Sequence, residues 1–171
     1  MSQKDEIRVL FLGDSGVGKT SIIHTIVMES FPKNVDRVFQ TVTISPELYL
    51  LPNNTNTVLV DSDASEIGPG EQQTNNEIER AHVIVLLYEV GHLECMRRLG
   101  NYWLKKRIVT HNPEVPVILC GNKLDLRSHT TEEGELESLL TPNFMEFKQV
   151  EMGIECSAKG YIGLIDIIAC A

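Results

Sequence analysis

Gly13-Asp14-Ser15-Gly16-Val17-Gly18-Lys19-Thr20 is the stretch on which the fold turns. It fits G-x-x-x-x-G-K-[ST], a loop that cradles phosphate. Residues 7–12 before it, Ile-Arg-Val-Leu-Phe-Leu, have the length and apolarity of a buried strand, and residues 21–27 after it read as a helix. Strand, glycine loop and helix in that order are the context this motif requires. Glycine lets backbone N–H groups turn inward around phosphate oxygens, and a helix start adds positive partial charge. Asp14, Ser15, Gly16, Val17, Gly18, Lys19, Thr20 and Ser21 therefore form the expected phosphate set, with the Lys19 ammonium at the β- and γ-phosphates and the Thr20 hydroxyl on Mg²⁺.

Outward from the loop, helical and strand patterns alternate. Strands are expected at 42–44 running on to 50, at 57–60 ending on Asp61, and at 82–88, 115–120 and 153–156. Helices are expected at 19–30, 75–80, 94–110, 132–140, 142–149 and 161–169, with a mobile loop over 62–74. The short turn cluster 52–56 makes the second and third strands an antiparallel hairpin. The pattern predicts an α/β, three-layer P-loop fold: a mostly parallel six-stranded sheet with one antiparallel hairpin, in a single domain over 1–171. The apolar ending 167–171 has no helix cap, which reads as a domain cut from a longer protein.

Composition narrows the function. A formal charge of −9 argues against nucleic-acid binding, which needs a basic face. Cys95, Cys120, Cys156 and Cys170 have no C-x-x-C spacing, so neither a zinc site nor a redox motif is indicated, and reduced thiols suit a cytosolic setting. No apolar run approaches the roughly 18 residues of a membrane span, so direct membrane contact is not expected.

Asn122-Lys123-Leu124-Asp125 chooses the nucleotide. It follows a buried strand, where ligands bind in open α/β sheets. The Asp125 carboxylate can accept from the N1–H and N2–H₂ edge of guanine, a donor pair that adenine lacks. Ser157-Ala158-Lys159 follows the last strand and can offer a backbone N–H to the guanine O6. GTP or GDP with Mg²⁺ is the implied ligand, and an adenine-nucleotide kinase is opposed by Asp125.

With these three motifs in this order, the chain resembles the Ras-superfamily small GTPases over nearly its whole length. The resemblance implies that Asp61 stands on the magnesium side and that Phe31 meets the guanine edge; by its own position Phe31 also suits packing at a helix end. Thr41 or Thr43 would reach Mg²⁺, with the neighbours Val42 and Ile44 favouring Thr43. The family's D-x-x-G-Q is replaced by Asp61-Ser62-Asp63-Ala64-Ser65. Ala64 takes the place of a glycine whose N–H meets the γ-phosphate, and Ser65 that of the water-orienting glutamine, a role the Ras example in general accounts of phosphoryl transfer assigns to Gln. These two, with Lys19, are the catalytic candidates. Ser15 also replaces a usual glycine, so sound binding with slow or rearranged hydrolysis is expected; the alternative is a pseudo-GTPase. Stretches such as Glu29-Ser30-Phe31-Pro32 and Glu155-Cys156-Ser157-Ala158-Lys159 are similar to the N-terminal GTPase domain of mitochondrial Rho (Miro/Gem) proteins. That resemblance implies a cytosol-facing switch, anchored in the mitochondrial outer membrane through a missing C-terminal part. Effector or regulatory proteins would read the loops from Lys33 to Val42 and from Ser62 to Thr74.

Overall fold

The computed structural model describes residues 6–34, 41–49, 55–63, 65–127, 143–144 and 146–171. The expected helix over 132–140 and most of the turn cluster before the third strand lie outside the described residues, as does Ala64.

Six strands form one sheet: β1 (Glu6–Gly13), β2 (Val42–Ile44), β3 (Asn56–Asp61), β4 (Val83–Glu89), β5 (Val117–Asn122) and β6 (Val150–Glu155), in the order β2-β3-β1-β4-β5-β6. Within this sheet, among the described residues, β2 pairs antiparallel with β3 and the other neighbouring strands pair parallel. Strands β1, β3, β4 and β5 carry continuous buried apolar runs, Val9–Leu12, Val58–Val60, Val83–Leu87 and Val117–Cys120, because both faces of the sheet are covered there. Alternate side chains feed two cores. Val9, Phe11, Leu59, Val85 and Leu87 meet Ile22, Ile23 and Ile26 of α1 (Lys19–Met28) and Leu164 and Ile167 of the closing helix Leu164–Cys170. Leu10, Val60, Ile84 and Leu86 meet Ile78 of α3 (Gly68–Arg80), and Met96, Leu99 and Trp103 of the helix that begins as α4 (Leu93–Arg98). The sheet is thus the middle of three layers, and its carboxyl edge collects the ends of β1, β3, β5 and β6.

Several expected boundaries differ. The second strand stops at Ile44 and the chain turns helical over α2 (Pro46–Tyr49) instead of running on as strand. The loop expected over 62–74 ends early, because α3 begins at Gly68 with Pro69 in its first turn. Both misreadings share a cause: proline lacks an N–H that a first helical turn does not need, and its fixed φ starts a helix there. The helix expected over 94–110 exists, but Leu99–Ile108 is wound as a π-helix before Val109–His111 returns to α. Val109 accordingly donates to the Leu104 carbonyl, five residues back. Beyond Asn143 and Phe144, residues 146–149 are turns and bends, not a continued helix. The closing helix starts at Leu164 because Tyr161 and Gly163 adopt positive φ and Ile162 bridges back to Ser157.

Candidate functional site

The phosphate loop leaves β1 at Gly13 with φ +142, followed by Gly16 at +80 and Gly18 at +99. A Cβ at Gly13 would stand 2.5 Å from the Leu87 carbonyl oxygen, and one at Gly18 2.3 Å from Asn122 Nδ2. Both glycines are required by close approach as well as by backbone angle. Val17 is buried beneath the loop while Ser15 and Gly16 face outward. Lys19 opens α1 and is only 7 % exposed, its Nζ donating to the Gly13 and Asp14 carbonyls at 2.9 and 2.8 Å. Burial holds its pKa below the ordinary lysine range, against the opposing pull of Asp61, Asp14 and Asp63. Ser21 follows Thr20 in the same first turn, its carbonyl accepting from Thr25 Oγ1 at 2.7 Å.

Thr20 Oγ1 donates to Asp61 Oδ2 at 2.6 Å, so α1 and the end of β3 meet as a hydroxyl and a carboxylate. These are hard oxygen donors of the kind Mg²⁺ takes when phosphates supply the rest of its shell. Among the described residues no three His, Cys, Asp or Glu side chains cluster as an all-protein metal cage. Ser62 Oγ donates to the Phe11 carbonyl at 2.7 Å and pins the end of β3 to β1. Thr43 is not beside this pair. It lies exposed in β2 opposite Val58, three residues from Asp61, about 10 Å along the strand. Thr41, the residue just before β2, lies on the Asp61 side of that register.

The base side is built around Asn122, 2 % exposed. Its Nδ2 donates to the Val17 carbonyl at 2.9 Å and its Oδ1 accepts from the Ala158 N–H at 3.2 Å. One side chain therefore ties the phosphate loop to Ser157-Ala158-Lys159. Cys156 and Cys120, buried with sulfurs 3.3 Å apart, lie beneath it. Asp125 is exposed, and its Oδ1 accepts from Ser157 Oγ at 2.5 Å. Ser157 Oγ in turn accepts from the Gly160 N–H, and Ser157 exchanges both backbone bonds with Ile162. Lys123 sits at φ +65 with its ammonium 2.6 Å from Glu89. Lys159 is exposed. Phe31 is 42 % exposed beyond α1.

The hydrolytic side holds residues that sequence reasoning missed. The Asp14 carboxylate accepts from Arg98 Nε and from Trp103 Nε1 at 2.9 Å. Arg98 is 84 residues away in sequence, and no local pattern signals such a contact. Burial would lower the Arg98 pKa, but hydrogen bonding and charge from Asp14, then Glu66, leave it raised. Ser65, which stands in place of the water-orienting glutamine, has its N–H bonded to Asp63 Oδ1 at 3.1 Å. Thr74 Oγ1 donates to the Asp63 carbonyl at 2.9 Å.

The sequence profile of the Ras family matches residues 8–169. This chain belongs to the Ras family. Family membership implies a bound guanine nucleotide and GTP hydrolysis. The chain is also similar to Mitochondrial Rho GTPase 1 of Cryptococcus neoformans, 39 % identical over 158 residues, covering 92 % of this chain and 22 % of that protein. Mitochondrial Rho GTPase 1 of Mycosarcoma maydis is 37 % identical over 158 residues, covering 91 % of this chain and 20 % of the relative. Mitochondrial Rho GTPase 2 of Arabidopsis thaliana is 32 % identical over 164 residues, covering 96 % and 25 %. The chain thus spans a quarter or less of the length of these relatives. Among the described residues no helix is long and apolar enough to cross a membrane.

Proposed function

We propose that this chain is the nucleotide-hydrolysing switch domain of a mitochondrial Rho-type protein. The observation that carries the reading is the Asn122 tie, because it makes the phosphate loop and both guanine motifs one rigid receptor. The loop amides from Asp14 to Thr20 receive the phosphates, and Asp125 receives the guanine edge. Lys19 exchanges its carbonyl partners for β- and γ-phosphate oxygens, where its charge opposes the charge that builds as the β–γ bond breaks. Water attacks the γ-phosphorus, and GDP and phosphate leave. Thr20 and Asp61 would hold Mg²⁺, with Thr41 completing that side in the active state; the ion would neutralise phosphate charge.

Ser65 is too short to orient water as a glutamine does, so unaided turnover is slow and a partner group accelerates it. In the whole protein, the stretch from Lys33 to Val42 and the stretch from Ser62 to Thr74, a loop followed by the first turns of α3, signal the nucleotide state to partners in mitochondrial transport, shape and inheritance. The position of Ser65, bonded through its N–H to Asp63, favours a second reading in which GTP is held without hydrolysis. Single-turnover phosphate release from GTP-loaded protein separates the two. Release above the buffer rate supports the first reading, and none even with a partner lysate overturns it.

A further inference from the structure

Arg98 lies outside every motif of the sequence, yet it reaches two functional loops at once. Its Nε is 3.0 Å from both carboxylate oxygens of Asp14 in the phosphate loop. Its Nη2 is 2.5 Å from Glu66 Oε1, in the loop after Asp61. Trp103 secures Asp14 from the same helix, and the Tyr102 ring lies 4.6 Å beneath the guanidinium. The arginine fork is thereby fixed on one face and at both ends, a geometry that a point charge such as lysine cannot reproduce.

We infer that Arg98 is a positioning residue for GTP hydrolysis, clamping the loop that carries Ser65 onto the phosphate loop. This rests on the reading of the chain as a GTPase. Glu66 is the next residue after Ser65, about 3.8 Å away from Cα to Cα, so a restraint on Glu66 limits how far the Ser65 backbone can move. The loop lacks the family's Gly-Gln pair, and this clamp is what places it. Without the guanidinium, Asp14 and Glu66 present two like charges and the loop moves outward. The Asp14 end is the more sheltered, at 17 % side-chain exposure against 50 % for Glu66. The clamp therefore opens first at Glu66.

The test uses Glu66→Gln, Arg98→Gln and the double variant. It measures GDP affinity, single-turnover phosphate release and hydrogen exchange over 62–67, at 0.05 and 0.5 M NaCl. Glu66→Gln leaves Arg98 on Asp14, so GDP affinity stays within about twofold while release slows by about two- to fivefold, the scale of a half-exposed ion pair. Exchange over 62–67 quickens by a similar factor. In the Arg98→Gln background, Glu66→Gln adds nothing. At high salt the unsubstituted protein slows toward Glu66→Gln, which itself changes little. Should Arg98→Gln fold poorly, Arg98→Lys serves in its place: release falls between the unsubstituted and Glu66→Gln rates, and Glu66→Gln then slows it by a smaller factor than in the unsubstituted protein. Turnover and exchange unaltered in Glu66→Gln, or effects that simply add in the double variant, overturn the clamp alone. Unsubstituted protein that releases no phosphate overturns the GTPase reading and the clamp with it.

Discussion

Asn122 is the side chain on which the receptor depends, and its removal has a calculable effect. Asn122→Ala orphans two backbone groups, the Val17 carbonyl and the Ala158 N–H. With Asn122 2 % exposed, bulk water does not reach them directly. An unsatisfied buried polar group costs about 1–3 kcal/mol, so the pair costs about 2–6 kcal/mol. A water entering the polar gap would hold the loss to the lower figure. Domain stabilities run at about 5–15 kcal/mol, so the variant sits near its folding threshold. Urea unfolding of nucleotide-free protein reads this as a midpoint lowered by at least about 1 M, for a slope near 2 kcal/mol/M that does not itself change. Asn122→Asp keeps an acceptor for Ala158 but sets a buried carboxylate against the Val17 carbonyl, and it loses at least as much. GDP affinity falls in both, because the phosphate and guanine loops no longer hold one spacing. A loss below about 0.5 kcal/mol in Asn122→Ala, the scale of an inconsequential surface change, refutes the tie.

Lys19→Met keeps the apolar stem and removes the charge: GTP affinity, measured with a fluorescent analogue, falls by about 10–10²-fold, the scale of losing one hydrogen bond to a charged group. Burial lowers the Lys19 pKa from 10.5, so the folded state sheds this proton at lower pH than the unfolded chain. The nucleotide-free protein therefore gains stability as pH rises from the lowered pKa to 10.5, and denaturant midpoints across that window rise in the parent but not in Lys19→Met. Asp125→Asn exchanges acceptors for donors and turns preference from GTP to XTP; unchanged GTP affinity in a competition titration would remove the guanine assignment. Gly18→Ala places a methyl 2.3 Å from Asn122 Nδ2 at φ +99, and destabilises by more than about 1 kcal/mol in thermal unfolding.

The sheet and its carboxyl-edge loops were legible because their signals are local. Apolar runs of strand length mark β1, β4 and β5, and three short motifs mark the loops that follow β1, β5 and β6. Pro46 and Pro69 carried an equally local signal in the opposite sense, each opening a helix where a strand or loop was expected. The π winding of Leu99–Ile108 was not legible, because Met96, Leu99, Trp103, Leu104 and Ile108 fit one apolar face under either winding. The ties at Asn122 and Arg98 were hidden for a different reason. Asn122 is visible as a motif residue, but its partners lie 105 and 36 residues away. Contacts of that range belong to the topology, which brings strand ends together, and to no stretch of sequence.

The two ties differ in their chemistry, and that difference separates two tasks of one site. At the base end, Asn122 joins neutral groups through short, buried hydrogen bonds, which salt does not screen. At the phosphate end, Asp14, Arg98 and Glu66 are charged and partly open to solvent. The Debye length shortens from about 10 Å at 0.1 M salt to about 3 Å at 1 M, so only the second tie weakens as ions are added. A switch needs this asymmetry: the receptor that selects guanine must persist through the cycle, while the loop that reads the γ-phosphate must be released when the phosphate goes. Discrimination between GDP and its xanthine counterpart should therefore stay constant across a salt series in which exchange over 62–67 steadily quickens. If both moved together, the two ends would form one cooperative unit and the division of labour drawn from Asn122 and Arg98 would fail.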